Sequence, residues 1–339
     1  MPITKEQILQ YILKLIEAKD EHLVRKVLDT FPENISKSSV YNYLNELERR
    51  GSIKKVDGRY LLVFRENRFC YENNGTLDED RVFDRDIAGV LSHLPKNVFS
   101  AWRYAFTEMM NNAIEHSSAT KITVSVLESA VKTTVVISDN GRGIFNNIKS
   151  YVMETTGEDI TLKEAAAMLF AGKFTTARSA HSGEGIFFTS HTMDSFRILS
   201  DGIVFTRDNF NDTSSDDVEF DTESTTVVMQ LDNASKKTLR QVFDRFSDVE
   251  EGFIKTQIPI AHIFSGAGPV SRSEARRLGE LILKFREIDL DFTGVEEVGQ
   301  AFVHELFIVW QGKNPDIKLN VLGAGDDVDF MIRRVKNTK

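Results

Sequence analysis

The chain has 339 residues, of which 41% are hydrophobic and 27% are charged, with a formal net charge of −9. This length predicts two or three domains, and the composition is that of a globular protein. The acidic balance argues against a uniformly basic nucleic-acid binder but leaves room for one basic module. The single cysteine, Cys70, excludes an intramolecular disulfide and indicates a reducing compartment. Without an apolar run of 18 residues or a signal-peptide core, we expect a cytoplasmic protein with no membrane contact.

Residues 1–73 are predicted to form a separate unit of three helices and a hairpin. The first helix is expected to start after Thr4, a plausible N-cap. The second helix is expected from His22 to Phe31, and the third from about Lys37 to Arg50. Asp57 and Gly58 separate two short apolar runs, which is the signal of a type I′ hairpin. This order of elements is the plan of a winged helix-turn-helix.

The third helix is expected to bury Val40, Leu44 and Leu47 and to leave a polar face outside. Short polar and cationic side chains of this kind suit base edges and phosphates in duplex DNA. The side chains concerned are Lys37, Ser38, Ser39, Tyr41, Asn42, Asn45 and Arg49 on the helix and Lys54, Lys55 and Arg59 on the wing. Residues 1–75 carry 13 Lys and Arg against 11 Asp and Glu, a net +2, and the remainder carries −11. The alternative is a winged helix used for protein contact or dimerisation.

A polar segment at residues 71–80 predicts a linker. The helix after it has an apolar stripe of Trp102, Ala105, Phe106, Met109, Met110 and Ala113. Glu108 and Asn112 are four residues apart, so they stack on one side of this helix and flank its buried face. A carboxylate there can orient water, and an amide oxygen one turn later can ligate a hard cation. The alternative is an amphipathic helix with a polar rim.

A buried strand is predicted from Val131 to Ser138 and runs into Asp139-Asn-Gly-Arg-Gly143. Asp139 at the strand end can accept a hydrogen bond from an exocyclic amine such as that of adenine. Gly141 and Gly143 would let the backbone approach a planar ligand closely. The alternative is a plain Asp-Asn-Gly turn.

A glycine-rich segment follows and could close over phosphates. Its cationic and hydroxyl donors are Lys173, Thr175, Thr176 and Arg178. It ends in Ser182, Gly183, Glu184 and Gly185, directly before a helix expected from Ile186 to Met193. Glycines before a helix N-terminus expose backbone N–H groups to an anion. The alternative is a flexible surface loop.

In this order and spacing, the three elements resemble the nucleotide-binding boxes of the GHKL superfamily, and they look most like those of the anti-sigma factor serine kinases. The resemblance covers roughly residues 76–248 and implies a site for ATP and Mg²⁺ within a domain at 74–248. It would make Glu108 the general base and Asn112 the magnesium ligand, with Asp139 binding the adenine amine. The residues that would shape the pocket and form its floor are Gly141, Gly143, Gly183, Gly185 and Thr225. His181-Ser182 replaces the usual extra glycine, so whether ATP is bound, hydrolysed or transferred stays open.

Residues 249–339 alternate predicted strands and helices, which indicates a small α/β domain. Strands are expected at Thr256–Ile263, where Pro259 indicates an edge strand, at Glu287–Phe292 and at Asp316–Leu322; helices are expected from Ser271, Val298 and Asp327. The segment Leu290-Asp-Phe-Thr-Gly-Val295 resembles the STAS domains of anti-sigma antagonists. Gln300 and Ala301 stand where those domains carry a phosphoaccepting serine. The resemblance therefore implies a docking or dimerisation module for a protein partner, the alternative being a domain that only caps its neighbour.

The expected fold class is therefore α+β multidomain: a winged helix, a central α/β sandwich of the GHKL (Bergerat) type and a STAS-like α/β domain. The leading function hypothesis is a nucleotide-responsive, DNA-binding transcriptional regulator. It would act as a homodimer, bind Mg-ATP and hydrolyse it if Glu108 serves as a base. The alternatives are a serine/threonine protein kinase of the anti-sigma type and a non-enzymatic, ATP-bound scaffold.

Overall fold

The computed structural model describes residues 3–32, 34–157, 159–172, 184–208, 224–248, 250–264 and 268–337. Its buried hydrophobic residues fall into three clusters, which follow the chain from an N-terminal through a central to a C-terminal core. Within these ranges, no helix combines the length and the apolarity that a membrane crossing requires.

The N-terminal unit consists of three helices and a two-stranded hairpin. Its elements are α1 (Lys5–Glu17), α2 (Leu23–Thr30), α3 (Lys37–Arg49), β1 (Ile53–Val56) and β2 (Arg59–Leu62). Thr4 caps α1 as predicted, in a reciprocal capping box with Gln7. Asp57 and Gly58 have φ values of 47° and 79°, the two left-handed residues that a type I′ turn requires. Val40, Leu44 and Leu47 are buried, so the predicted core face of α3 is confirmed.

The centre of the molecule is a six-stranded sheet in the order β3-β4-β5-β8-β6-β7, with antiparallel pairing between all neighbours. The strands are β3 (Arg65–Glu72), β4 (Lys121–Glu128), β5 (Lys132–Asp139), β6 (Ser195–Ser200), β7 (Ile203–Asp208) and β8 (Thr225–Asp232). Alternate residues of β4, β5 and β8 are buried on one face, as the two-residue period of a strand dictates.

Helices cover the buried face of this sheet. They are α4 (Glu79–Val82), a π-helical turn (Phe83–Ile87), α5 (Ala88–Leu91), α6 (Lys96–Glu115), α7 (Ile144–Thr156), α8 (Leu162–Ala171) and α9 (Gly185–Thr192). The next helix, α10 (Leu239–Phe246), packs beside α9, and its buried residues Val242 and Phe246 belong to the C-terminal core. The apolar stripe predicted for α6 is confirmed, because all six of its residues are buried in the central core.

The predicted linker at residues 71–80 is wrong at both ends. Tyr71 and Glu72 belong to β3, whose whole length pairs with β4, and α4 begins at Glu79. The strand β3 also lies on the N-terminal side of the boundary that was expected at residue 73. Its exposed residues are mostly charged, as is usual on an edge strand. Local composition alone could not separate this charged edge strand from a linker.

The C-terminal region contains a parallel three-stranded sheet, β11 (Lys255–Pro259), β12 (Glu287–Asp291) and β13 (Lys318–Leu322), in that order. Pro259 lies on an edge strand as predicted, but residues 260–263 form a short helix instead of continuing the strand. The remaining elements are β9 (Ser247–Asp248), β10 (Gly252–Phe253), α11 (Ile260–Ile263), α12 (Arg272–Ile282), α13 (Gln300–His304), a π-helical turn (Glu305–Trp310), α14 (Gln311–Lys313) and α15 (Asp326–Asn337). Ser271 and Glu274 form the predicted capping box of α12.

The turn between β4 and β5 packs into the N-terminal unit. Val131 at this turn is 3% exposed and belongs to the N-terminal core, with Ala130 against the same cluster. Two ion pairs flank it: Lys132 Nζ lies 2.8 Å from Glu17 Oε1, and Lys14 Nζ lies 3.0 Å from Asp232 Oδ2. The C-terminal end of α1 is thereby docked on the ends of β5 and β8.

Replacing Val131 with Ala should lower the free energy of unfolding by about 1–3 kcal/mol, because it removes two buried methyl groups from the N-terminal core. Val136 lies on the opposite face of β5 and is half-buried, so Val136→Ala should lower the free energy of unfolding clearly less. Urea unfolding of both variants measures the difference. Equal losses would contradict the insertion of this turn into the N-terminal core.

Candidate functional site

The site is organised around Asp139, the last residue of β5. Its side chain is 8% exposed, and Oδ1 accepts a hydrogen bond from the backbone N–H of Gly141 at 2.8 Å. Burial raises the pKa of Asp139 to about 6, although the backbone N–H groups of Gly141 and Thr225 act in the opposite direction. None of the ion pairs in the described ranges includes Asp139. A buried carboxylate held only by backbone donors can accept a further hydrogen bond from a ligand.

Two hydroxyl groups link β8 and β6 to the turn that follows Asp139. Thr225 on β8 is paired with Asp139 in the sheet register and is buried. Its Oγ1 and the Oγ of Ser200 both lie 3.1 Å from the backbone nitrogen of Ile144 and accept its hydrogen bond. These two hydroxyl groups therefore fix the first residue of α7.

Neighbouring loops hold the turn from Asp139 to Gly143. Asn140 Oδ1 accepts hydrogen bonds from the backbone N–H groups of Thr120 at 3.0 Å and Lys121 at 2.9 Å. The N–H of Arg142 donates to the carbonyl oxygen of Ser117 at 3.0 Å. The turn thus has a fixed position relative to the end of α6.

Gly141 and Gly143 were expected to let a planar ligand approach the backbone, but the structure shows a different reason for glycine at both positions. A Cβ on Gly141 would overlap the Ser117 carbonyl, and a Cβ on Gly143 would overlap the Asp201 carboxylate. Gly143 also has a φ of 80°, which favours glycine. The space that these glycines leave is therefore filled by the protein's own atoms.

Glu108 and Gly185 come together from two elements. Glu108 is half-buried on α6, and a Cβ on Gly185, the first residue of α9, would overlap its carboxylate. Tyr104, one turn earlier on α6, has a raised pKa because it is buried and because the charges of Glu108 and Glu184 lie near it. The helix box and the second glycine box therefore meet at this carboxylate.

Asn112 lies one turn beyond Glu108 on α6 and is half-buried. In the described ranges, no group of three His, Cys, Asp or Glu side chains is placed to hold a metal ion. A cation at Asn112 would therefore need oxygen ligands from a nucleotide and water, which is how Mg²⁺ is commonly bound. Lys173, Thr175, Thr176, Arg178, Ser182 and Gly183 lie outside the described residues.

The helix that follows the second glycine box is shared with the C-terminal core. Phe187 and Phe188 on α9 are both 1% exposed and belong to the C-terminal cluster. The ring of Phe187 lies 4.6 Å from that of Phe253, and Phe188 stacks on Phe243 at 4.2 Å. A Cβ on Gly172 at the end of α8 would lie 2.7 Å from Phe253 Cε1. Segments on both sides of residues 173–183 thus contact one aromatic cluster.

The residues predicted to contact DNA are on the surface. Nine of the ten are exposed, and Ser39 is half-buried beside the α3 N-cap Ser36, whose Oγ lies 2.9 Å from its own. Arg59 pairs with the exposed carboxylate of Glu21 at 3.4 Å. In the C-terminal domain, Gln300 and Ala301 are the first two residues of α13. Neither carries a hydroxyl group.

Two family models match the chain. Residues 100–235 match the family described as histidine kinase-, DNA gyrase B-, and HSP90-like ATPase, and this range contains α6, the Asp139 turn, α9 and β8. The chain contains a GHKL-type ATPase domain. Residues 274–329 match a STAS-like domain of unknown function (DUF4325). No curated protein matches the chain. The GHKL match supports ATP binding by the ATPase domain, and the predicted resemblance is confirmed for both domains.

Several residues of the ATPase domain site were missed from the sequence. Ser200, Asp201 and Asn140 fix the turn that carries Asp139, and Tyr104 lies beside Glu108. The Asp201-Gly202 pair between two apolar runs could have been found as a hairpin turn. No local pattern could have shown that its carboxylate reaches a helix more than fifty residues earlier.

The raised pKa of Asp139 predicts a pH dependence of nucleotide affinity. The carboxylate is ionised above pH 6 and protonated below it, so ADP affinity at pH 5 should be roughly tenfold weaker than at pH 7.5 if only the ionised form binds well. Calorimetry across this range measures the change. Asp139→Asn is the control for titration of the nucleotide itself, and its profile should be much flatter. Parallel profiles would contradict the assignment.

At pH 7.5, Asp139→Asn should weaken adenine-nucleotide binding by more than tenfold, because it removes a charge-assisted hydrogen bond of roughly 1.5–3 kcal/mol. The fold should not lose stability, since burial already disfavours the ionised carboxylate. Calorimetry and thermal unfolding on the same samples separate the two effects. Undiminished ATP affinity in a folded variant would exclude Asp139 as the adenine acceptor.

Proposed function

We propose that this protein is a nucleotide-responsive, DNA-binding transcriptional regulator. Mg-ATP binds the ATPase domain, and the N-terminal unit binds duplex DNA as a winged helix. One observation carries the proposal: β5 and β8 bear the site residues Asp139 and Thr225 at one end and contact the N-terminal unit at the other. Nucleotide binding and the placement of the N-terminal unit therefore depend on the same two strands.

The residues present fit a magnesium nucleotide. Asp139 is the acceptor for the adenine amine, with the hydroxyl groups of Thr225 and Ser200 below it. Asn112 contributes an amide oxygen to Mg²⁺. Glu108 orients and deprotonates an attacking water. Gly185 and Glu184 begin α9, whose N-terminus faces the Glu108 side of the site.

The phosphate-binding roles of the remaining predicted residues are part of the same proposal. Lys173 and Arg178 supply cations, and Thr175, Thr176 and Ser182 supply hydroxyl donors. Gly183 brings backbone N–H groups to the anion. The triphosphate is an anion and needs cationic and hydroxyl donors around it. The described part of the site cannot supply them, because it contributes mainly the carboxylates of Asp139, Glu108 and Glu184.

The exposed face of α3 and the wing support the DNA-binding part of the proposal. Nine of ten polar or cationic side chains are solvent-accessible there, while the unit docks on the ATPase domain through the end of α1. The docking contacts and the proposed recognition residues lie on different elements. DNA can then be bound without removing the unit from the ATPase domain.

A pair of copies is the proposed DNA-binding form. The N-terminal region carries a net charge of only +2, so one copy offers few phosphate contacts, and two copies on a repeated site would gain affinity from each other.

The STAS-like domain is the proposed docking module for a protein partner. Its core contains Phe187 and Phe188 of α9, so binding there can affect the glycine box. With no hydroxyl at Gln300 or Ala301, a phosphotransfer role for this domain is disfavoured.

Glu108→Gln should keep ATP binding and lower hydrolysis by about 10²–10⁴, the usual contribution of a general base. The amide has the same shape as the carboxylate, so its packing on Gly185 is preserved. Calorimetry measures binding and phosphate release measures turnover. A parental hydrolysis rate in the variant would show that Glu108 has no catalytic role.

Replacing Lys54, Lys55 and Arg59 together with Ala should weaken binding to all DNA sequences and reduce the salt dependence. Each lost phosphate contact lowers the slope of log affinity against log salt by about 0.9. Replacing Asn42 and Asn45 should instead relax sequence specificity more than affinity. Fluorescence anisotropy of the full chain on fragments upstream of its own gene, across a salt series, measures both.

Replacement of Lys313, Lys318 and Arg333 with Ala in the C-terminal domain removes the same two lysines and one arginine from an exposed surface, and it should leave the salt slope unchanged. If the full chain binds these fragments no better than random duplex, with or without ATP, the N-terminal unit is a protein-contact module instead.

A further inference from the structure

Asp201 occupies an unusual backbone conformation at the turn between β6 and β7. Ser200 pairs with Ile203, so Asp201 and Gly202 form a two-residue hairpin turn. Their φ values are 56° and 74°. Asp and Gly are the residues that best tolerate this pair of left-handed conformations. The turn therefore projects a carboxylate from the sheet edge of the ATPase domain.

This carboxylate caps α7 from a distant part of the chain. Asp201 Oδ2 accepts hydrogen bonds from the backbone N–H groups of Phe145 at 3.0 Å and Asn146 at 3.1 Å. Asp201 Oδ1 accepts one from Asn146 Nδ2 at 2.6 Å. The residue before α7, Gly143, has no side chain and provides no cap of its own. Asp201 thus satisfies N–H groups that a helix of 13 residues leaves unpaired at its positive end.

The same carboxylate is connected to the floor of the nucleotide site. Ser200 Oγ donates to Asp201 Oδ2 at 3.0 Å and lies 3.2 Å from Thr225 Oγ1. Both hydroxyl groups accept the N–H of Ile144, which directly follows Gly143. The C-terminal end of the Asp139–Gly143 turn is therefore held by Asp201, Ser200 and Thr225.

Gly143 lies in close contact with the carboxylate of Asp201. A Cβ at Gly143 would overlap the Asp201 carboxylate, so the backbone of the turn lies directly against it. The preceding residues of the turn are held by the Ser117 carbonyl, which accepts the Arg142 N–H, and by the Asn140 side chain. Removing Asp201 leaves the Ile144 N–H bonded to Ser200 and Thr225 but takes away the contacts at Gly143, Phe145 and Asn146. The C-terminal end of the turn is then less restrained, which lets the Asp139 carboxylate sample positions unsuited to the adenine amine.

We infer that Asp201 is a positioning residue for adenine recognition, holding the turn in the conformation in which Asp139 meets the exocyclic amine. The inference rests on the proposed binding of ATP at this site. Apparent affinity falls in proportion to the fraction of molecules whose turn is competent to bind.

The test uses two substitutions in the full chain that both tolerate a positive φ. Asp201→Gly removes the carboxylate without backbone strain, and Asp201→Asn keeps an acceptor for the α7 N–H groups. The probes are ATP and purine riboside 5′-triphosphate, which lacks the exocyclic amine. Calorimetry gives both affinities for each protein.

In Asp201→Gly, ATP affinity should fall about tenfold and that of the amine-lacking analogue about threefold or less, so the preference for ATP shrinks. Asp201→Asn should stay within about twofold of the parent for both ligands, because Asn caps helices as well as Asp does. A purely structural role would instead lower both affinities by the same factor.

Val335→Ala provides the control for stability alone, because Val335 is buried on α15 in the C-terminal core. It should lower the melting temperature but leave the preference for ATP unchanged. An unchanged preference in Asp201→Gly, or an Asp201→Asn variant as impaired as Asp201→Gly, would overturn the inference. A parent protein that binds neither nucleotide would instead refute the proposed function.

Discussion

The buried carboxylate of Asp139 sets the constraint on which the rest of the site depends. A charged group this deep is disfavoured unless donors surround it, and among the described residues the donors to Asp139 are the backbone N–H groups of Gly141 and Thr225. Those donors exist because β5 pairs in register with β8 and because the turn after β5 is tight. The end of β5 therefore presents a buried carboxylate that can accept a hydrogen bond from a ligand.

The two strands that meet at Asp139 extend to the N-terminal unit, and the helix beside Glu108 extends to the C-terminal domain. Val131 contributes to the first contact, and Phe187 and Phe188 contribute to the second. Packed cores move between discrete arrangements rather than deforming continuously. A ligand that changes the position of β5 or α9 therefore has a direct route to both neighbours, and a partner on either neighbour has a route back to the site.

Much of the fold could be predicted where the deciding interactions are local. The Thr4 cap, the Asp57-Gly58 turn, the stripe of α6 and the capping box at Ser271 each depend on residues a few positions apart. The strand β3 could not be predicted, because its partner β4 lies about fifty residues later and its own exposed residues are charged. For the same reason, the role of Asp201 at the start of α7 and the burial of Phe187 in the C-terminal core were not visible. The nucleotide boxes were found because their spacing resembles a known superfamily, whereas the physical cause of each glycine needed the structure.

In the proposed function, nucleotide bound at Asp139 changes DNA binding by the N-terminal unit. The most direct measurement is a DNA titration of the full chain without nucleotide, with ADP and with a non-hydrolysable ATP analogue, at one salt concentration. Asp139→Asn is titrated in parallel. We expect DNA affinity or the preferred spacing of DNA sites to differ between nucleotide states in the parent and not in the variant. Identical DNA binding in all three states, with nucleotide occupancy verified by calorimetry, would contradict it.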